Sequence, residues 1–337
     1  MLVRHNTPFM ADATDVLDKD GSQARVVVLK ATYRIDSAGG EPSIAEMQEP
    51  VCHADLYLGE PGTSSTIYES DFGFLKPSTD IIVIGNIHAP AAATSLSATL
   101  SVGTLAKTVL VFGDRHWDKG FAGFWISDPV PFSVMPLCWE RAFGGWDRTD
   151  STSPAWEPRN PLGTGYSRRG SAKTLEGLPL PNFEDPGNVI RSWSDRPVPQ
   201  GFGFTPRNSE PRIRYAGTFD AAWQKDRMPI LPDDFDYRYF NGAPAYLQYP
   251  GYLVGGETVS SENLFSGYIA PFRIPALLPA VRCVAGGQRL EQGAMLDTVV
   301  LDTDKNHLVL VWRAKFTVPL NETSDEVRIK AWMNKEY

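Results

Sequence analysis

The densest run of chemically capable side chains is Pro136–Asp147, P-L-C-W-E-R-A-F-G-G-W-D. It holds three large aromatics (Trp139, Phe143, Trp146), a carboxylate (Glu140) and a guanidinium (Arg141). A carboxylic acid lying against tryptophan can have its pKa raised and act as a general acid. A neighbouring carboxylate and guanidinium can instead pair beneath the rings and make a structural corner. Trp and Arg are also the usual anchors of a protein–protein interface. All three readings fit; the structural corner is the plainest. Gly144 and Gly145 open backbone angles closed to other residues, so a sharp turn is expected there.

Other chemistry is thinner. Asp114, His116 and Asp118 in G-D-R-H-W-D sit at alternate positions. On a strand they would share one face, as a metal site could require, but Arg115 and Lys119 crowd them with positive charge. His53-x-Asp55 is a weaker version of the same idea. Glu184–Asp185 and Asp233–Asp234 are acidic pairs of the kind glycosidases use, though any chain of this length contains such pairs. Arg168, Arg169 and Lys173 make a short basic run that reads first as a solvated loop. No G-x-S-x-G elbow or phosphate-binding loop occurs. Gly163-Thr164-Gly165 neither follows a strand nor opens a helix, so it is no dinucleotide fingerprint. No cofactor is implied.

The elements that must position these groups read as strands. Arg25–Ile35 is rich in β-branched and aromatic residues, with Asp20-Gly21 at the tip of a preceding hairpin. Asp80–His88 is a mostly apolar strand that should be covered on both faces. Thr94–Val102 alternates, with Leu96, Ala98, Leu100 and Val102 on one face and Ser95, Ser97, Thr99 and Ser101 on the other. Lys107–Arg115 contains the next strand. From Pro129 to about Pro250 the pattern fades into recurrent Pro and Gly. Trp156, Trp193 and Trp223 sit inside that stretch, and disordered linkers lack such aromatics. An ordered, loop-rich segment packed on the core is expected, with a short helix near Asp220–Lys225. Strand signals return after Tyr252: Leu296–Val300, then His307–Val318, then E-V-R-I-K-A-W, where Val327, Ile329 and Ala331 alternate with Arg328 and Lys330.

Two stretches resemble each other. L-D-K-D-G-S-Q-A-R-V-V-V-L-K-A-T-Y-R-I from Leu17 aligns, with one gap, to L-D-T-D-K-N-H-L-V-L-V-W-R-A-K-F-T-V from Leu301. Lys30 then matches Arg313, Ala31 matches Ala314 and Tyr33 matches Phe316. The expected fold is mainly β: two related antiparallel, sandwich-like halves (1–128 and 251–337) around an irregular aromatic middle (129–250).

Across 337 residues the net charge is −8, the wrong sign for a nucleic-acid binder. The first residues lack the apolar run of a secretion signal. Nothing approaches the ~20 uninterrupted apolar residues of a membrane helix. Cys52, Cys138 and Cys283 are far apart, with no C-x-x-C pair, as suits reduced thiols. The expected location is the cytoplasm.

At Glu140–Gly145, E-R-A-F-G-G, the chain resembles a family: the bacterial domain of formerly unknown function encoded beside type VI secretion spike genes. Similar matches run through G-D-R-x-W (Gly113–Trp117), N-P-x-G-x-G-[Y/F] (Asn160–Tyr166), L-P-x-P-N-x-E (Leu178–Glu184) and L-D-T-V (Leu296–Val299). The resemblance implies an adaptor or chaperone, not an enzyme. Its partners would be proteins: a secreted effector, a VgrG-type spike and a PAAR-type tip. Candidate partner-binding residues are Trp139, Glu140, Arg141, Phe143 and Trp146, with Arg168 and Arg169 of the following loop. Two competing expectations remain: a carbohydrate-active hydrolase using Glu140 with a second carboxylate, and a structural subunit of the secretion particle.

Overall fold

The computed structural model describes residues 2–121, 123–285, 287–318 and 326–333. Its largest sheet runs in the order Met10–Leu17, Gln23–Arg34, His307–Val318, Met295–Asp302, Asp80–Ile84, with Ser43–Ile44 also paired to the second strand. Two hairpins, one from each end of the chain, therefore lie side by side in one sheet. Their inner strands are joined along their full length, from Gln23 opposite Val318 to Arg34 opposite His307.

The sequence repeat and this register agree. Aligning Lys30 with Arg313 makes Leu29 equivalent to Trp312, and Leu29 is also the cross-strand partner of Trp312. A local two-fold axis normal to the sheet thus passes between those two residues. Side chains alternate across the pleat. Leu29, Ala31, Trp312 and Ala314 face one way, and Val28, Lys30, Val311 and Arg313 the other. The first face joins the main core, which also takes in Val281 and Cys283 of strand Leu277–Ala285 and Leu100 and Val102 of strand Ser95–Val102.

The second face carries buried charge. Lys30 pairs with Asp71 at 2.9 Å, and Arg313 Nε donates to the Asp71 carbonyl at 3.0 Å. Arg313 also pairs with Asp297. The two basic positions matched by the repeat therefore reach the same residue from adjacent strands. Lys76 meets Asp80 at 2.7 Å and Thr298 at 2.8 Å. Charges this deep are tolerated only when paired and hydrogen-bonded.

Most expected strands are present: Gln23–Arg34, Ser95–Val102, Leu105–Phe112, Met295–Asp302, His307–Val318 and Glu326–Met333. Ile81, Ile82 and Val83 are fully buried. The expected single strand Asp80–His88 is two, Asp80–Ile84 and Asn86–Ala93, split at Gly85. Asp80–Ile84 pairs in parallel with Met295–Asp302, and Leu2–His5 in parallel with Glu326–Met333. These two pairs, with the short parallel pair Phe143–Gly144 and Thr164–Gly165, depart from a mostly antiparallel scheme. Val327 and Ile329 are buried and Arg328 is exposed, as the alternation requires; the Lys330 and Ala331 side chains lie outside the described residues.

The middle segment is ordered and irregular. Its Phe183, Phe202, Phe204, Ala243 and Leu247 enter the main core. The short helix is there, Ala221–Asp226, capped by the Asp220 side chain on the Trp223 amide at 2.8 Å. Among the described residues no helix is long and apolar enough to cross a membrane.

Candidate functional site

Glu140 and Arg141 do not pair. They occupy one turn of 3-10 helix, Trp139–Arg141, and their side chains leave in different directions. Glu140 accepts the Ser65 amide at 2.7 Å and also the Ser65 hydroxyl, which in turn accepts the Trp139 amide at 2.7 Å. Arg141 donates to Asp114 at 2.6 Å and to Asn182 Oδ1 at 3.1 Å. Adjacent residues in a tight turn diverge, so nearness in sequence misled about nearness in space. Cys138, just before the turn, has its thiol pushed up to about 12 by burial and then by Glu140, leaving it a neutral, unreactive thiol.

Three of the motif segments that carry the family resemblance meet E-R-A-F-G-G here, while L-D-T-V lies in the large sheet within Met295–Asp302. Asn182 of L-P-L-P-N-F-E donates its amide to the Arg141 carbonyl at 2.7 Å and its Nδ2 to Asp114 at 3.0 Å. Arg115 of G-D-R-H-W is buried against Glu184. Burial raises the Glu184 carboxyl despite that partner. Asn160 of N-P-L-G-T-G-Y has no solvent exposure. Its Nδ2 donates to the carbonyls of Trp139 at 2.8 Å and Phe143 at 3.1 Å. Between these segments lies a cleft of about 500 Å³ of mixed lining, with Asp114, His116, Glu140, Arg141 and Asn182 beside Val130, Pro179 and Leu180.

The two glycines do not reverse the chain; they kink it between two short ribbons. Phe143–Gly144 pairs with Thr164–Gly165, and Trp146–Asp147 pairs with Ala155–Trp156. A Cβ on Gly144 would lie 2.1 Å from the Asn160 carbonyl oxygen, and one on Gly145 2.2 Å from that of Gly163. Gly145 also has φ +90°. The loop from Asn160 to Gly165 passes so close that no side chain fits. The Gly145 amide donates to the Asn160 carbonyl at 2.9 Å, and the Glu157 amide to the Gly145 carbonyl at 3.0 Å.

This frame displays the second ribbon. Trp146 and Trp156 are cross-strand partners, stacked with ring centroids 4.7 Å apart, and are 42% and 46% exposed. Arg148, two residues on and so on the same face, lies over the Trp146 ring at 5.4 Å. Asp147 points inward and accepts the Thr149 amide at 3.0 Å and the Arg168 amide at 2.8 Å. Burial opposes ionisation of Asp147, but these hydrogen bonds outweigh it and hold the carboxyl below its ordinary value. The Arg168 guanidinium lies by Ser153 at the ribbon's end, and Arg169 faces Asp150 at 4.0 Å.

The seven candidate residues thus separate. Trp139 and Phe143 are interior, at 5% and 2% exposure, and support the frame. Glu140 and Arg141 edge the cleft. Trp146, Arg168 and Arg169 are on the surface around one ribbon. Sequence reasoning missed Trp156 and Arg148 as members of that surface; only pairing across the ribbon brings Trp156 beside Trp146. Of the acidic–histidine triplet, His116 and Asp118 touch at 3.0 Å, while Asp114 is engaged by Arg141. Among the described residues no three His, Cys, Asp or Glu side chains are grouped to hold a metal ion.

Fold and site together define a mainly β protein whose irregular middle is knitted into a frame for a surface ribbon of tryptophans and arginines. The chain belongs to the bacterial family described as "Uncharacterized protein conserved in bacteria (DUF2169)", which matches residues 20–313 and so takes in every segment of this site. No curated protein and no solved structure matches the chain.

Proposed function

We propose that this protein is a non-catalytic adaptor or chaperone of the type VI secretion system. In this reading it binds a secreted effector in the cytoplasm and helps load it onto a VgrG-type spike or its PAAR-type tip. The observation that carries the reading is the stacked, half-exposed Trp146–Trp156 pair flanked by arginines. Large aromatics with Arg dominate the energetics of protein interfaces, and exposed rings on a rigid frame lose little freedom when a partner covers them. The E-R-A-F-G-G resemblance supplies the biological setting. Glu140, the carboxylate a hydrolase would use, is tied to Ser65 through both oxygens, which suits a structural acceptor better than a proton donor. The test is affinity purification of the tagged protein from its native cell. Recovery of the effector and spike proteins encoded beside it is expected. Their absence, together with sugar hydrolysis by the purified protein, would overturn the reading.

A further inference from the structure

The Trp146–Trp156 ribbon carries a pattern of charge that the adaptor reading alone does not demand. Among the described residues neither Arg148 nor Arg168 has a carboxylate within ion-pair distance. Arg148 has only the Trp146 ring, and the Arg168 guanidinium only the Ser153 carbonyl and hydroxyl, at 3.4 and 3.2 Å. Arg159, Arg207, Arg212 and Arg238 are each forked onto a carboxylate; other exposed arginines among the described residues also lack one, and what sets this pair apart is the uncovered indole stack beside it. In a chain with net charge −8, Arg148, Arg168 and Arg169 against Asp147 and Asp150 leave a modest local excess of positive charge beside an uncovered aromatic stack.

We infer that this ribbon is a docking site for an acidic segment of a partner protein, with partner carboxylates forked by Arg148 and Arg168 and the intervening apolar groups lying on the two indoles. The inference rests on the adaptor reading and names the chemistry of the partner. The guanidinium fork matches a carboxylate through two parallel hydrogen bonds. The indole faces offer stacking area with a negative face of their own, so Arg148 over Trp146 both anchors the ring and keeps a cation at its edge. A stacked indole pair also suits a sugar ring. The unpaired arginines favour the acidic peptide, and the sugar becomes an outcome of the test.

The probes are a capped peptide of alternating Glu and Pro, its Gln–Pro counterpart and a cello-oligosaccharide. Each is titrated into the full-length protein. The indole N–H resonances of Trp146 and Trp156 are followed, assigned through Trp146→Phe and Trp156→Phe. The Glu–Pro peptide is expected to move both resonances, and the Gln–Pro peptide to bind about tenfold more weakly or not at all. Arg148→Ala with Arg168→Ala should weaken the acidic peptide about tenfold, and Arg148→Lys should recover only part of that, because ammonium cannot fork. All these positions are exposed, so an unchanged thermal melt is expected to accompany the loss. Equal binding of both peptides, movement by the oligosaccharide alone, or no response to any probe would overturn the inference. The adaptor reading fails separately: it falls if the wild type captures no cognate effector or spike. If the wild type and the double arginine variant capture them equally well, the adaptor reading stands and this inference falls.

Discussion

Asn160 does at the residue scale what no neighbour could do in its place. Its amide holds the Trp139 and Phe143 carbonyls inside the protein; the Trp139 carbonyl also accepts the Ala142 amide at 3.1 Å, so Asn160→Ala would leave the Phe143 carbonyl as the buried acceptor without a donor. Such an orphan costs about 1–3 kcal/mol, and an unfolding free energy lowered by that amount is expected in urea titration. Gly145→Ala should cost a similar amount, about 2–4 kcal/mol, since a left-handed backbone angle and a steric collision add. It should also separate the Trp146–Trp156 stack, visible as a change in near-ultraviolet dichroism. Arg141→Ala belongs to another class. Its partner Asp114 is 69% exposed, and pairs of that kind contribute about 0–1 kcal/mol. Arg313→Ala would strand Asp297 in the sheet and cost about 3–5 kcal/mol. Comparison of the two arginine variants by denaturation measures that difference directly; equal losses would mean that Arg141 is far better enclosed than the geometry allows.

At the scale of elements, the buried carboxylates respond to acid in two opposite senses. Where arginines and hydrogen-bond donors of the middle segment reach them, four carboxylates are held below their ordinary values despite burial that acts the other way, while Glu184 of the same segment is raised. Arg212 holds Glu69 down, Arg207 holds Asp55, and hydrogen bonds hold Asp147 and Glu157. A depressed folded pKa means stability that is complete above the unfolded value, near ~4, and lost as pH falls through the folded one. Asp297 in the sheet is raised, by burial more than Arg313 lowers it; its ionised form costs stability, and protonation relieves that cost. Below about pH 4, tryptophan fluorescence from the middle should therefore change before the far-ultraviolet signal of the strands. Coincident acid transitions would contradict this division. The same contrast explains what was legible in the sequence. The strands announce themselves through alternation and β-branched runs, and Leu96–Val102 and Val327–Ile329 lie as read. The middle is held by side-chain-to-backbone bonds between distant residues, such as Glu140 to Ser65 across 75 positions. No local period encodes such bonds, so Asn160 and Asn182 are visible as motif letters, and Trp156 as an aromatic of the middle, but not as neighbours. Gly85 hid inside an apolar run and divided a strand that read as one.

On the scale of the whole molecule, the two ends are one structure. The repeat marked two related hairpins, and the register joins them along twelve-residue inner strands across a local two-fold axis. Among the described residues, the strand Asp80–Ile84 joins the large sheet by pairing with Met295–Asp302 of the C-terminal hairpin. Removing residues 251–337 would leave Gln23–Arg34 as a bare edge and Asp80–Ile84 without its sheet. It would also expose Leu29 and Val28 to water, where each large apolar side chain loses about 1.5–3 kcal/mol of burial. A fragment of residues 1–250 is thus expected to unfold without a cooperative urea transition and to be cleaved rapidly by protease. Co-expression with residues 251–337 should restore both properties, because the pairing between the hairpins needs no covalent link. The Trp146–Trp156 ribbon should follow the same switch, since Phe183, Phe202 and Phe204 root the middle segment in the core that both ends build. If the fragment instead melts cooperatively and keeps its tryptophan stack, the N-terminal half carries a core of its own, and the joined sheet is a docking of two domains rather than a single folding unit.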